Sequence, residues 1–492
     1  MSIQSLLPRQ LRRLAINLNP TMLRFQPPVN RNMRTLDRSF FITKVPLCVV
    51  SFPDPRNISL FSKQFKDCIL RVPRIPHVAK LETLPAQDNT SNNDNNTVKK
   101  GVLLNDSITK VDECYQKLPK EALEFLENTN AEILPYEKVL DYDFWKTDEI
   151  LRAVLPEDLL EDTPTGFTVT GHIAHLNLRE EFKPYDTLIG QVILDKNGRI
   201  ETVVDKVSSI ATKFRTFPMK VIAGRDDSLV VEQRESDCIF KFDFSKVYWN
   251  SRLHTEHDRL VSQFFQPGQI VCDVFAGVGP FAIPAGKKKV LVLANDLNPD
   301  SFKYLQENIQ LNKVGHTVKP FDMDGAQFIR ESPRLVEQWS KSDCGKVLVP
   351  LNNNNRRKRQ KKDDQNKKTQ EPPAQHESEI PIPQEIHHYV MNLPDSAITF
   401  LHHFRGLFRG TNVKSMPWIH VHCFEKHSND EEPAMDELHK RVYQRIADEL
   451  QTDESMLPIT QVKFHLVRKV SPTKPMFCAS FQLPASVAYA EQ

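Results

Sequence analysis

Residues 271–281 read Val-Cys-Asp-Val-Phe-Ala-Gly-Val-Gly-Pro-Phe. An apolar strand ends on Asp273 and turns through Gly277 and Gly279 into a helix. In an open α/β sheet the ligand sits at the carboxyl ends of the strands. Glycines in that turn let it approach the backbone closely. The turn is not a dinucleotide phosphate fingerprint of the G-x-G-x-x-G kind. An acid directly before it repels a pyrophosphate and suits an ammonium group.

Three further signals follow in chain order. Asp296, with Leu297 beside it, closes a second apolar run about twenty residues after the glycines, where an acid can take a pair of ribose hydroxyls. Its plainer reading is a turn or helix-capping residue. Asp322-Met323-Asp324-Gly325 ends the next strand-like run; a carboxylate and adjacent backbone there can meet an adenine amino group, and the plainer reading is again a turn acid. Asn392-Leu393-Pro394 follows the run His387–Met391. A strand delivering Asn-x-Pro to the sheet edge places a donor and an acceptor in the plane of a base; otherwise it is a helix-starting turn. Together the four favour S-adenosyl-L-methionine over NAD as cofactor.

These residues must be held by a frame. From about residue 251 the pattern repeats strand, turn, helix, strand, which predicts a doubly wound α/β domain. Residues 39–150 mix short apolar runs with helical ones and predict a small α+β domain broken by an Asn-rich tract at 87–97. Residues 151–250 begin with a helix and continue in Val-, Ile-, Phe- and Thr-rich runs, including Thr187–Ile210, that predict strands. The expected fold class is therefore α/β: a Rossmann-type methyltransferase domain (251–492) preceded by two smaller α+β domains (37–150 and 151–250).

The chain has 492 residues with a formal net charge of +2, 39% hydrophobic and 26% charged. That excludes full-length disorder. Charge and proline break every apolar run long enough to span a bilayer, so no membrane partner is expected. The eight cysteines form no C-x-x-C pair, which argues against a zinc ribbon and supports no metal site. The charge is unevenly spread: residues 1–38 carry +6, residues 350–384 carry +3, and the remainder sums to −7. Segment 1–36 is Arg-rich and without acids, the composition of a mitochondrial transit peptide. The polar, basic, Pro-capped stretch 350–384 is expected to be a disordered insertion. Its run Arg356–Lys362 suits a nuclear import signal, an RNA tether or a merely solvated loop. The expectation is a monomer shared among mitochondrial matrix, nucleus and cytoplasm.

The ordered set HLNLREEF (175–182), FDFSKVYWNSRLHTEHDRL (242–260), CDVFAGVGPFAIPAG (272–286), NDLNP, DGAQF and NLPDSA resembles the archaeal and eukaryotic tRNA guanine-37 N1-methyltransferase family over most of 160–480. The resemblance implies a first domain touching the tRNA elbow, a second domain, and a methyltransferase domain acting on the guanosine 3′ of the anticodon. It also implies support for reading-frame maintenance and, in suitable tRNAs, the first step toward wybutosine.

Guanine N1 carries a proton at neutral pH, so methylation there needs a proton acceptor and a cation near O6. Glu256 matches the family's catalytic glutamate and Arg215 its arginine, with Asn392 beside the transferable methyl. The plainer readings are a Glu256–Arg252 ion pair at i, i+4, which would also hold a catalytic glutamate, and a surface arginine. The resemblance puts His257 beside the cofactor, together with Asp273, Gly277, Gly279, Asp296, Leu297, Asp324, Gly325, Asn392 and Pro394. Two rival functions share these residues: transfer of the aminocarboxypropyl group of the same cofactor, and tRNA binding without catalysis.

Overall fold

The computed structural model describes residues 25–81, 99–207, 214, 216, 218–342, 345–350 and 377–491. The tract 87–97, the basic run 356–362, Arg215 and most of the transit-like segment lie outside these residues. The chain divides into two compact units: the described residues up to Gly166 with Leu178–Gly198, and Phe167–Asn177 with the described residues from Arg199 onward.

The first unit is built on a four-stranded antiparallel sheet. Its strands β1 (Thr43–Ser51), β2 (Val78–Lys80), β3 (Lys100–Leu103) and β4 (Glu132–Leu140) lie in the order β2-β3-β1-β4. Helices α1 (Arg56–Gln64), α2 (Val111–Lys117) and α3 (Lys120–Asn128) accompany it. Phe52, Phe61, Phe65 and Phe125 pack as one aromatic cluster at its centre. Helices α4 (Thr147–Val154) and α5 (Asp186–Lys196) contact each other in the same unit.

Helix α5 corrects an expectation, because Thr187–Lys196 read as strand. Its Val and Ile content favours strands, but Leu188, Ile189, Val192 and Ile193 are all buried. That spacing is helical, so tertiary burial of one face overrode local propensity.

The second unit begins with a small sheet, β5 (Thr168–Thr170), β6 (Ile173–Leu176), β7 (Thr202–Lys206) and β8 (Met219–Gly224), and a hairpin, β9 (Val230–Glu235) with β10 (Cys238–Asp243). Helix α6 (His254–Gln263) leads into the main sheet. That sheet holds β11 (Ile270–Asp273), β12 (Leu291–Asn295), β13 (Val318–Phe321), β16 (His388–Met391), β17 (Trp418–Phe424), β18 (Lys463–Ser471) and β19 (Lys474–Gln482). The spatial order is β13-β12-β11-β16-β17-β19-β18. The first five are parallel, whereas β19 runs antiparallel to β17 and β18 antiparallel to β19. Helices α7 (Ala282–Lys287), α8 (Pro299–Leu311), α9 (Gly325–Lys341) and α10 (Met435–Leu450) make the crossovers.

The central strands are buried on both faces, which is why they read as continuous apolar runs. Strand order reverses between β11 and β16, so the crevice of this sheet opens beyond their carboxyl ends. Asp273 and Asn392 stand at those two ends.

Part of the stretch 350–384, expected to be disordered throughout, is ordered. Glu377–Pro381 form strand β15, paired antiparallel with β14 (Lys346–Pro350). Ile380 and Ile382 enter the core beside Val347 and Val349. Polar, Pro-rich composition concealed this pairing, because alternate apolar residues were too few to show a period.

Candidate active site

Asp273 is fully buried, and neither carboxylate oxygen has a hydrogen-bond partner. Burial pushes its pKa up to about 8, and the nearby Asp296 carboxylate adds to the shift. A buried, unpaired acid facing a second acid costs stability unless a cation arrives. The site therefore fits a positively charged ligand, as the ammonium and sulfonium of S-adenosyl-L-methionine would be.

Asp296 is half-buried and partly committed. Its Oδ2 accepts from the Gly277 N–H at 2.8 Å and its Oδ1 from the Asn298 N–H at 2.9 Å. It thus shapes the glycine turn and the start of α8, as its plainer reading held, and keeps further lone pairs for a hydroxyl. Leu297 beside it is exposed.

The two turn glycines do different work. Gly277 has φ +56°, and open space lies where a Cβ would stand, which leaves room for a ligand. Gly279 has φ +99°, and a Cβ there would meet Ile283 Cδ1 at 2.8 Å. Its missing side chain serves helix packing rather than ligand approach.

Asp324 caps α9, accepting from the Ala326 and Gln327 N–H groups. A Cβ on Gly325 would meet the Phe275 ring at 2.7 Å. These two residues therefore answer first to the helix start and its packing. Asn392 follows β16, and its Oδ1 is buried without a partner, an acceptor left open toward a ligand. The Pro394 carbonyl accepts from the Phe424 N–H at 3.0 Å, pinning this turn to the end of β17.

Sequence reasoning missed Asn295, the buried last residue of β12. Its Nδ2 donates to the Val274 and Met323 carbonyls at 3.1 and 3.0 Å, and its Oδ1 accepts from the Met323 N–H at 2.8 Å. One amide thereby ties together the loops that follow β11 and β13. Replacing Asn295 with leucine strands three backbone groups, one of them fully buried, and is expected to cost about 2–4 kcal/mol in a denaturant titration.

Glu256 lies on α6 and is only 2% exposed. Arg259 grips it with two hydrogen bonds, Nε to Oε2 at 2.6 Å and Nη2 to Oε1 at 2.8 Å. His422 Nε2 lies 2.8 Å from Oε1, and His465 Nε2 lies 3.5 Å from Oε2. Burial opposes the charged form, but Arg259 and His422 outweigh it and hold the carboxyl well below the usual carboxylate range. Glu256 is thus held as a carboxylate.

The expected Glu256–Arg252 pair does not form. Ser251–Leu253 make a 3₁₀ turn before α6 starts at His254, so Arg252 is off the helical face that carries Glu256. Its guanidinium instead donates to Thr168 Oγ1. His257 is buried. Its Nδ1 lies 2.6 Å from Glu235 Oε1, and its ring meets Phe281 edge-on.

His422, like Cys478, was not anticipated. Its signal lay in Trp418–Phe424, where two histidines alternate along an apolar strand and so face the same side. Glu256, His422 and Cys478 bring their polar atoms within 4.8 Å of one another. The carboxylate is already filled by Arg259 and His422, so the trio reads as a hydrogen-bonded cluster.

Residues 231–338 match the TRM5/TYW2 methyltransferase domain and residues 147–227 the TYW2 N-terminal domain. The chain is 64% identical to a tRNA (guanine(37)-N(1))-methyltransferase of Saccharomyces cerevisiae, covering 94% of this chain and 95% of that protein. The chain belongs to the tRNA (guanine(37)-N1)-methyltransferase family. Relatives bearing the same description in Candida albicans (strain WO-1) and Schizosaccharomyces pombe are 48% and 44% identical. They cover 95% and 96% of this chain and 99% and 98% of their own length. The fold is shared with aTrm5, solved in complex with tRNALeu, at a TM-score of 0.54 and 17% identity over 89% of this chain and 99% of that one.

Proposed function

We propose that this chain moves a methyl group from S-adenosyl-L-methionine to N1 of the guanosine at tRNA position 37. The observation that carries the reading is the pairing of an orphaned carboxylate, Asp273, with an orphaned amide oxygen, Asn392, across the switch point of a methyltransferase sheet. The relatives that match nearly the whole chain supply the substrate.

The cofactor, when bound, supplies an electrophilic methyl on a sulfonium. Asp273 holds its ammonium group and Gly277 leaves it room, with Asp296 at the ribose. Asn392 meets the base edge through its open Oδ1. Glu256 takes the N1 proton. Arg215 serves as the O6 donor, a role resting on the family resemblance. His257 acts indirectly, by bracing Phe281 behind the glycine turn.

The unpaired anticodon loop can splay a base at little cost. The first unit's contact with the tRNA elbow, a monomeric state and the absence of membrane attachment belong to the same reading. So does division among mitochondrial matrix, nucleus and cytoplasm, which rests on the compositions of 1–36 and 356–362. No helix among the described residues is long and apolar enough to cross a membrane.

Transfer of the aminocarboxypropyl group of the same cofactor is the competing outcome. Incubation with labelled cofactor and unmodified tRNA carrying G or A at position 37 tests the reading. Label only on the G37 tRNA, with the mass of one methyl, is expected. Equal label on both, label on neither, or the larger mass would overturn it.

A further inference from the structure

A buried base that takes a proton must also lose it. Four side chains stand around its carboxylate: Arg259, His422, His465 and Cys478, whose buried thiol lies in register between the two histidines. Arg259 is fully protonated and cannot accept. His422 is fully buried and already holds its proton: burial alone would lower its pKa, but Cys478 and Glu256 push it up to about 10. His465 is different: its side chain is 45% exposed, and its Nε2 makes the longest contact, 3.5 Å to Oε2.

The strand registry explains how it gets there. His422 on β17 faces Cys478 on β19, and Cys478 faces His465 on β18. The three side chains form one row across neighbouring strands, and α6 lays Glu256 over that row. His465 sits on the edge strand, at the end of the row that reaches solvent. It also lines a cavity of about 600 Å³ bounded by Arg259, Phe264, Trp418 and Lys463.

We propose that His465 is a relay residue that takes from Glu256 the proton removed from guanine N1 and releases it to water in this cavity. The inference rests on the N1-methylation reading above. As N1 gains the methyl group its N–H bond breaks, and the proton forms an O–H bond at Oε2. That bond breaks as Nε2 of His465 gains the proton, and Nδ1–H then gives one up to solvent. No oxidant or second reagent is needed.

The charges around His465 agree with an empty acceptor. Burial lowers its pKa, Arg259 and His422 lower it further, and Glu256 opposes them. The imidazole is therefore neutral at pH 7 and free to accept. Cys478 of β19 stands in register beside His465, and the cavity also carries Lys463, Gln263, Glu385, His387, His388 and Ser480.

His465→Ala and His465→Gln test the relay, because the side chain lies on an exposed edge and its loss leaves the core intact. Both variants are expected to keep cofactor affinity and thermal midpoint while losing roughly tenfold to a hundredfold in single-turnover rate at pH 7. Added imidazole should restore His465→Ala, more so the more basic the imidazole. The wild-type rate should fall as pH drops through the His465 pKa, a limb absent from His465→Ala. Glu256→Gln should lower the His465 pKa read by NMR. An unchanged rate in either variant, or a loss that no imidazole restores, would overturn the relay. N1-methylguanosine made by the wild type in the same assay keeps the underlying function separate: its absence would defeat that reading instead.

Discussion

Replacing Glu256 with glutamine lowers the single-turnover rate of methyl transfer by about 10²–10⁴-fold while leaving cofactor affinity within a few-fold. Glutamine keeps the shape and still accepts from Arg259, but it has no charge with which to take the N1 proton. A fall in rate without a rise in KM assigns the residue to the chemical step. A variant that kept the wild-type rate would remove Glu256 from the mechanism.

The same substitution changes stability in a pH-dependent way. Glu256 in the folded protein is held below the pKa of an unfolded glutamate, about 4.3. Its ionised form therefore stabilises the fold above that pH, and the contribution is lost as the pH falls toward the folded value. Glu256→Gln should flatten the acid side of the wild-type melting profile. The near-neutral limb of the rate belongs to a different group, because Glu256 stays ionised there.

Asp273→Asn weakens cofactor binding by at least about 100-fold, since one buried charge-assisted contact is lost. The pH dependence is sharper than the size of the loss. In the cofactor-free protein Asp273 titrates near pH 8, because it is buried and lies near Asp296. Binding an ammonium requires the ionised form, so cofactor affinity of the wild type should rise with pH until about 8 and release a proton. In Asp273→Asn both effects should vanish, as calorimetry in two buffers of different ionisation heat would read.

Stability moves the opposite way. The folded pKa of Asp273 lies above the unfolded value of about 3.9. Between those pH values the folded chain holds the extra proton, so stability falls by up to about 1.4 kcal/mol per pH unit as pH rises. The cofactor-free Asp273→Asn protein should consequently melt higher than the wild type at pH 8 and similarly at pH 4. A cofactor affinity that is unchanged in this variant would detach Asp273 from the pocket.

Local patterns made much of the frame legible. The strand ending on Asp273, the glycine turn and the Asn392 turn stood out because parallel buried strands are short apolar runs bounded by turn residues. Helix α5 was misread because β-branched residues dominate it, although their spacing was helical. Strand β15 was missed because a pairing made across residues 351–376 leaves no mark in local composition.

The candidate site divides along the same line. Residue types and chain order alone determined the family and the cofactor class, and they singled out Asp273, Asn392 and Glu256 as the candidate acid, amide and base. Their partners were decided only when the chain folded. Arg259 replaced Arg252 because the first turn before α6 is 3₁₀. Asp324 turned to its own helix and Gly279 to its own packing. The row His422–Cys478–His465 comes from strands β17, β19 and β18, where β19, last in the chain, lies in the middle. Contacts of that kind depend on sheet order and register, which no run of neighbouring residues encodes, and it is they that set the charge on Glu256.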